Sequence, residues 1–298
     1  MLNKAILAFD AGGTSFKYAL LSYESLEFIG KEEFYPVPSF GTTDEMLGLF
    51  RRVFTDAIAQ SRALSLDISD IAFSVPGPFD CKRGVSLMKH KWPAVKDIPL
   101  VDVFRKFGVF ADNVRFSFLH DVHSFLLGEK YFGKAAECRK AAGIVIGTGV
   151  GFGMWDGENF ITDETGHPRY GIYKSPYRGG ILEDFVSGRG IVAAYERLTG
   201  KSSSAKAIED EARKGNPDAI KIYSDMGCML GEVVFPILEE YGIEAVVFGG
   251  RLSLAFDLFV DSFSYEVRAK SRGMIVYPSE MLEHAAMKGA AIWSKRFL

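Results

Sequence analysis

The sequence predicts an α/β protein built from two similar halves, and three observations carry that expectation. An apolar strand climbs to Asp10, turns through Ala11-Gly12-Gly13-Thr14 and returns at once as a second strand. Phe16, Tyr18 and Leu20 fall on one face of the return and Lys17 on the other, which is strand periodicity. The same strand–Gly/Thr–strand arrangement recurs between Gly143 and Gly157, through Gly147-Thr148-Gly149. Short buried strands at Ile71–Val75 and Glu244–Phe248 stand among stretches of helical spacing.

Both glycine turns open onto a strand. The dinucleotide fingerprint and the Walker loop must each open onto a helix, so both are excluded. Alone, the first turn has two readings. One is a hairpin whose glycines let backbone N–H groups approach phosphate, with Asp10 near a metal ion. The other is an ordinary hairpin that needs positive φ at Gly12 or Gly13. The pair of turns favours a duplicated fold that grips phosphates from both sides.

At 298 residues the chain is too long for one small core, and 48% hydrophobic with 24% charged residues is the balance of a globular protein. Lys and Arg number 35 against 38 Asp and Glu, a net charge of −3, so the basic footprint of a nucleic-acid binder is missing. Cys81, Cys138 and Cys228 are scattered without metal-ligand spacing and read as reduced thiols. The N-terminus does not read as a secretory signal. The longest charge-free apolar stretch, Ala141 to Trp155, is too short and glycine-rich to span a bilayer. A cytoplasmic protein with neither nucleic-acid nor membrane partner is expected.

In chain order, Leu26 to Val37 reads as a third strand closed by Pro36 and Pro38. Thr43 and Asp44 can cap a helix reaching about Ser65, with Met46, Leu47, Phe50, Phe54 and Ile58 near helical spacing. Ile71–Val75 ends in Pro76-Gly77-Pro78, a rigid loop at a strand's C-terminal edge, where open α/β sheets bind ligands. A helix over Leu100–Phe107 and a strand over Val114–Phe118 follow.

Asp121 then falls at a strand-to-helix junction, with Val122, Phe125, Leu126 and Glu129 turning away at helical spacing. It reads either as an N-cap or as a general base at the mouth of the sheet. Asp163 to Gly190 is irregular and contains Glu164-Thr-Gly-His167 and Leu182-Glu183. Ala205–Lys214 is a helix, and Pro217 opens another that passes Leu238, where Pro236 should kink or shorten its end. Gly249-Gly250 closes the strand Glu244–Phe248, either to set backbone against a nucleotide or for close packing. The small-residue helix Glu283–Trp293 suits close packing on another element.

Taken together these segments resemble the family of repressors, open reading frames and sugar kinases, the ROK family of the actin-like ATPase superfamily. The match runs nearly end to end. Asp10-Ala-Gly-Gly-Thr14 resembles its first phosphate motif and Gly147-Thr-Gly149 its second. Val75-Pro-Gly-Pro78 is similar to its sugar-side loop, Asp121 to its catalytic Asp and Val247-Phe-Gly-Gly250 to its adenosine motif. Glu164-x-Gly-His167 and Leu182-Glu183 match its sugar-binding positions.

The resemblance implies two actin-like (ribonuclease H-like) α/β domains with a nucleotide and sugar cleft between them. They would span about 1–118, joined by the C-terminal helix at about 283–298, and 119–282. It implies an ATP-dependent phosphotransferase acting on a hexose hydroxyl, with glucose and its C6 hydroxyl first. An N-acylhexosamine, another hexose or a non-catalytic sugar sensor are the alternatives. Gly12, Gly13, Thr14, Gly147, Thr148 and Gly149 would hold the ATP phosphates, and Gly249 and Gly250 the adenosine. Mg²⁺ would sit beside Asp10 through water. Gly77, His120, Glu164, His167 and Glu183 would read the sugar, and Asp121 would be the base. A homodimer is the family's frequent state.

Three departures stand out. The family's Asn-Asp-Ala-Asn run is here His120-Asp121-Val122-His123, and the Asn before the base normally touches a sugar hydroxyl. Many members carry a cysteine cluster after the Gly-His pair that binds structural zinc. His167 to Glu183 holds no cysteine, so no such zinc site is expected. The chain also starts almost at its first strand, so no helix-turn-helix domain is expected before it.

Overall fold

A computed structural model describes residues 3–268 and 273–297. The chain opens with β1 (Asn3–Ala11), whose Ala5–Phe9 run is buried throughout, then β2 (Ser15–Ser22) and β3 (Phe28–Pro36). Helix α1 (Thr43–Ala63) follows, then β4 (Leu66–Val75), the short pair β5 (Phe79–Asp80) and β6 (Val85–Ser86), and α2 (Leu100–Lys106). Strand β7 (Arg115–His120) runs directly into α3 (Asp121–Phe132). The second hairpin is β8 (Ala141–Ile146) and β9 (Val150–Trp155). After it come β10 (Pro176–Tyr177), β11 (Gly180–Ile181), α4 (Glu183–Val186), α5 (Gly188–Thr199), α6 (Ala205–Arg213) and α7 (Pro217–Tyr241). The chain closes with β12 (Ala245–Gly249), α8 (Phe256–Arg268), β13 (Ile275–Pro278) and α9 (Glu283–Arg296).

Two compact units result. The first holds Met1–Tyr131, Thr162–Pro168 and Glu283–Leu298; the second holds Phe132–Ile161 and Arg169–Leu282. The first unit's sheet has the order β3-β2-β1-β4-β7, with β1 antiparallel to β2 and parallel to β4, and β4 parallel to β7. The second unit's sheet has the order β9-β8-β12-β13, again an antiparallel hairpin followed by parallel strands. The run β2-β1-β4-β7 therefore has the same sense as β9-β8-β12-β13, which bears out the duplication read from the paired glycine turns.

Sequence and structure differ at two helix features. The cap of α1 is Thr42, one residue before the expected pair: Thr42 and Glu45 form a reciprocal capping box, Glu45 N–H to Thr42 Oγ1 at 3.2 Å and Thr42 N–H to Glu45 Oε2 at 2.7 Å. Pro236 does not shorten α7, which continues to Tyr241 and ends on Gly242 in the left-handed region. A proline inside a helix costs about 3 kcal/mol. Here a long buried face from Ala219 to Leu238 offsets it.

The first unit's core is a stack of aromatic rings between sheet and helices. Phe73 lies parallel to Phe9 at 4.6 Å and to Phe118 at 5.0 Å, with Phe54 edge-on to Phe9 at 5.8 Å. The small-residue helix α9 packs against α3. A Cβ on Gly289 would lie 1.8 Å from Ser124 O, and one on Gly128 would lie 2.1 Å from Ala285 O. Two glycines facing across the crossing let the helix backbones touch, and this fixes α3, whose first residue is Asp121.

Candidate functional site

The turn between β1 and β2 is built around its carbonyls. Trp92 Nε1 donates to Gly12 O at 3.2 Å, Ser39 Oγ donates to Gly13 O, and Val37 N–H donates to Thr14 O at 2.9 Å. In a trans peptide the following N–H points opposite the carbonyl. Three successive carbonyls are thus held, while among the described residues nothing takes up the N–H groups of Gly13 and Thr14, as an anion cradle requires. Neither Gly12 nor Gly13 lies at positive φ, so an ordinary positive-φ turn does not explain the glycines. Close approach does: a Cβ on Gly12 would stand 3.0 Å from Ser15 O.

Asp10 is the last residue but one of β1, directly across the hairpin from Lys17, and Lys17 is paired with Glu283 of α9. Burial, then the charges of Asp121 and Glu283, push the Asp10 carboxyl up to about 6, against the opposing pull of Lys17. A buried carboxyl pushed up in this way suits a cation, whose charge would favour its ionised form. Among the described residues no three His, Cys, Asp or Glu side chains cluster as a metal cage. One carboxylate beside a phosphate cradle is the donor set typical of Mg²⁺, which takes its remaining ligands from water and phosphate.

Asp121 begins α3. Its Oδ1 accepts from Val122 N–H at 2.7 Å, the adjacent amide, where an N-cap would take one two or three residues on. His120 Nδ1 lies 2.9 Å from the same Oδ1, although the ring is turned so that the contact falls short of a well-aligned hydrogen bond. Both contacts fall on Oδ1, which leaves Oδ2 to receive a proton. Burial works to raise the carboxyl, but the charge of His120, its contact, the Lys91 ammonium and the Val122 amide together hold it below the ordinary carboxylate value. The side chain is half-exposed, so an ionised carboxylate faces solvent.

The structure brings Gly77, His120 and His167 together. A Cβ on Gly77 would lie 2.3 Å from His167 Nε2 and 2.6 Å from His120 Nε2, so both ring nitrogens converge where only glycine fits. The two rings stand edge to face at 4.6 Å. Burial and then His120 lower the His167 pKa from 6.5, so at neutral pH its ring is uncharged. Nδ1 lies 3.2 Å from Pro168 O; with its proton there, Nε2 is an acceptor. His123, fully buried one helix position past Val122, packs its ring 5.9 Å from His120. Burial first, then His120 and His167, hold it well below the ordinary histidine value. Glu164 lies exposed on the same turn as His167.

In the second unit Gly147 N–H is spent on Gly149 O at 2.9 Å, and Gly147 O takes Gly188 N–H at 3.0 Å, which sets the N-terminus of α5 beside the turn. Among the described residues nothing takes up the N–H groups of Thr148 and Gly149. Glu183, expected with the sugar readers, is engaged within this unit. Its Oε2 accepts from Val150 N–H at 3.1 Å and its Oε1 pairs with Arg189 at 3.1 Å. A Cβ on Gly149 would meet that carboxylate at 2.5 Å. Gly250, at φ 79°, presses on the backbone of Ile146, whose O would lie 2.5 Å from a Cβ. Packing of β12 on the end of β8 therefore accounts for Gly250 by itself, and Gly249 is the last residue of β12.

Three participants escaped the sequence reading. Trp92 and Ser39 anchor the first turn from distant loops, which no local pattern announces. Asp163 Oδ1 accepts from Thr165 N–H at 2.9 Å, Thr165 Oγ1 at 2.7 Å and His167 N–H at 3.0 Å, and so shapes the turn that carries His167. An Asp ahead of Thr and Gly is the signature of such a turn and could have flagged it.

The model of the ROK family matches residues 6–296. The chain belongs to the ROK family. Among curated ROK-like relatives, the N-acetyl-D-glucosamine kinase of Vibrio cholerae serotype O1 is 26% identical over 87% of this chain and 88% of its own. The glucokinase of Thermotoga maritima is 25% identical over 96% of each. The structure of a ROK glucokinase from Streptomyces griseus, in complex with glucose and AMPPNP, superposes with a TM-score of 0.75. It is 19% identical and covers 98% of this chain and 99% of its own. The fold is the two-domain actin-like α/β fold of ROK sugar kinases, as the resemblance implied. The two curated kinases are named for different sugars, and the matched relatives also include the DNA-binding transcriptional repressor Mlc of Escherichia coli, so membership of the family leaves the hexose open.

Proposed function

We propose that this ROK protein is an ATP-dependent kinase that moves the γ-phosphoryl group of ATP onto a hydroxyl of a hexose or N-acylhexosamine. The observation that carries the reading is an ionised carboxylate, Asp121, fixed at a strand-to-helix junction in the same unit as a turn with its carbonyls tied back. A base and an anion cradle on one scaffold are what phosphoryl transfer needs, because positioning and charge stabilisation supply most of that catalysis.

The N–H groups of Gly13 and Thr14 would hold phosphate oxygens, as would those of Thr148 and Gly149 in the second unit. Asp10 would hold Mg²⁺, which when bound neutralises phosphate charge. Gly77 leaves room for a hydroxyl against His120 and His167, and neutral His167 Nε2 would accept a hydrogen bond from it. Asp121 Oδ2 would take the proton of the attacking hydroxyl. Glucose and N-acetylglucosamine stand first as acceptors, since both occur among the relatives' substrates. His120, in place of the family's Asn, would alter which hydroxyls are read.

Asp121→Asn tests the base. The variant should bind sugar as the wild type does and lose about 10²–10⁴-fold in kcat. Retention of most turnover would remove Asp121 from the role.

A further inference from the structure

In the segment Lys89-His90-Lys91-Trp92, Trp92 anchors the first turn and the three residues before it have no role in the proposed function. Its Trp92 is almost fully buried, edge-on to Phe16 at 5.3 Å and Phe50 at 6.2 Å, and donates to Gly12 O. It does so at φ 51°, ψ 41°, a left-handed conformation that costs a non-glycine residue about 1–2 kcal/mol. Strain held by a buried anchor points to a placement the surroundings enforce. What is placed is the preceding residue.

Lys91 lays its aliphatic stem along the first turn. A Cβ on Gly13 would come 2.8 Å from its Cδ, 3.0 Å from its Cγ and 3.1 Å from its Cε. Among the described residues its Nζ makes no hydrogen bond and no ion pair. The residue is exposed, yet its charge is felt at Asp121. An ordinary surface lysine reaches into water. This one is laid by its buried neighbour across Gly13, and its charge acts on Asp121.

We propose that Lys91 is a catalytic cation of the phosphoryl transfer, its ammonium touching the transferring phosphoryl group between the Gly12–Thr14 turn and Asp121. The proposal rests on the kinase reading. In the step, the sugar oxygen forms its bond to the γ-phosphorus and gives its proton to Asp121 Oδ2. The bond from that phosphorus to the β–γ bridging oxygen breaks, and its electron pair leaves with ADP. Lys91 exchanges no proton; it balances charge on the non-bridging oxygens, as a compact ammonium does for phosphate. Lys17, across the hairpin from Asp10, is occupied by Glu283.

The test compares wild type, Lys91→Met and Lys91→Arg by ADP release with ATP and whichever sugar the wild type phosphorylates fastest. Methionine keeps the stem on Gly13 and removes the charge. The expected result is a fall in kcat of about 10²-fold for Lys91→Met, a sugar KM within threefold of wild type, and at least tenfold recovery in Lys91→Arg. A Lys91→Met kcat within threefold of wild type would overturn the proposal. So would a faster variant, which would make the stem merely an obstruction, or a loss confined to sugar KM. A wild type that releases no ADP with any sugar would overturn the kinase reading and this proposal together.

Discussion

His120 Nδ1 stands 2.9 Å from Asp121 Oδ1, and this contact between consecutive residues helps hold the candidate base below its ordinary value. Against burial, His120 and Lys91 hold the carboxyl below its ordinary value, so Asp121 is ionised throughout the neutral range. His120→Asn removes the imidazole and the contact. The Asp121 pKa should then rise, and the acidic limb of the kcat/KM profile should move to higher pH. An unmoved limb would show that His120 does not act on the base.

Gly77 is the contact point for both imidazole Nε2 atoms. In Gly77→Ala the added Cβ would stand 2.3 Å from His167 Nε2 and 2.6 Å from His120 Nε2, so both rings must move. Sugar affinity by calorimetry should fall by tenfold or more. Nucleotide affinity, read at the Gly12–Thr14 turn, should stay within threefold.

His123 is buried and held well below the ordinary histidine value of 6.5. Below that pH the unfolded chain takes up a proton that the folded chain refuses. Stability should therefore drop as pH falls from about 6.5 toward the folded value, by at most about 1.4 kcal/mol per pH unit. Urea unfolding at several pH values should show this slope, and His123→Leu should flatten it. Equal slopes in both proteins would refute the assignment.

The α3–α9 crossing tolerates no side chain at its centre. Gly289→Val should cost about 3 kcal/mol or more, because a Cβ there would sit 1.8 Å from Ser124 O and the helices must part. Chemical denaturation would measure the loss, and one under 1 kcal/mol would contradict the packing described.

Local pattern made much of the fold legible. Phe16, Tyr18 and Leu20 alternating after a glycine turn could only be a returning strand, and the second turn at Gly147 announced the duplication. Asp121 could be placed at its junction because an apolar strand and a helical stripe meet there. What stayed hidden depends on contacts distant in sequence. Trp92 reaches Gly12 across eighty positions of chain, and Glu183 is drawn to Val150 by an amide that no spacing reveals. Gly250 could not be assigned because a glycine that admits a ligand and one that admits a neighbouring backbone read alike. Pro236 misled for a related reason, since the local cost was visible and the long buried face that offsets it became clear only in the fold.

Phosphorylation of a sugar by this chain is what every role assigned above depends on. The most direct measurement is coupled ADP release by the wild-type protein with ATP and Mg²⁺ across a panel of hexoses and N-acylhexosamines, with sugar binding followed in parallel. Sugar-dependent ADP release is expected, with glucose or N-acetylglucosamine among the acceptors. Measurable sugar binding with no ADP release from any sugar in the panel would contradict it and leave a sugar sensor on a kinase fold.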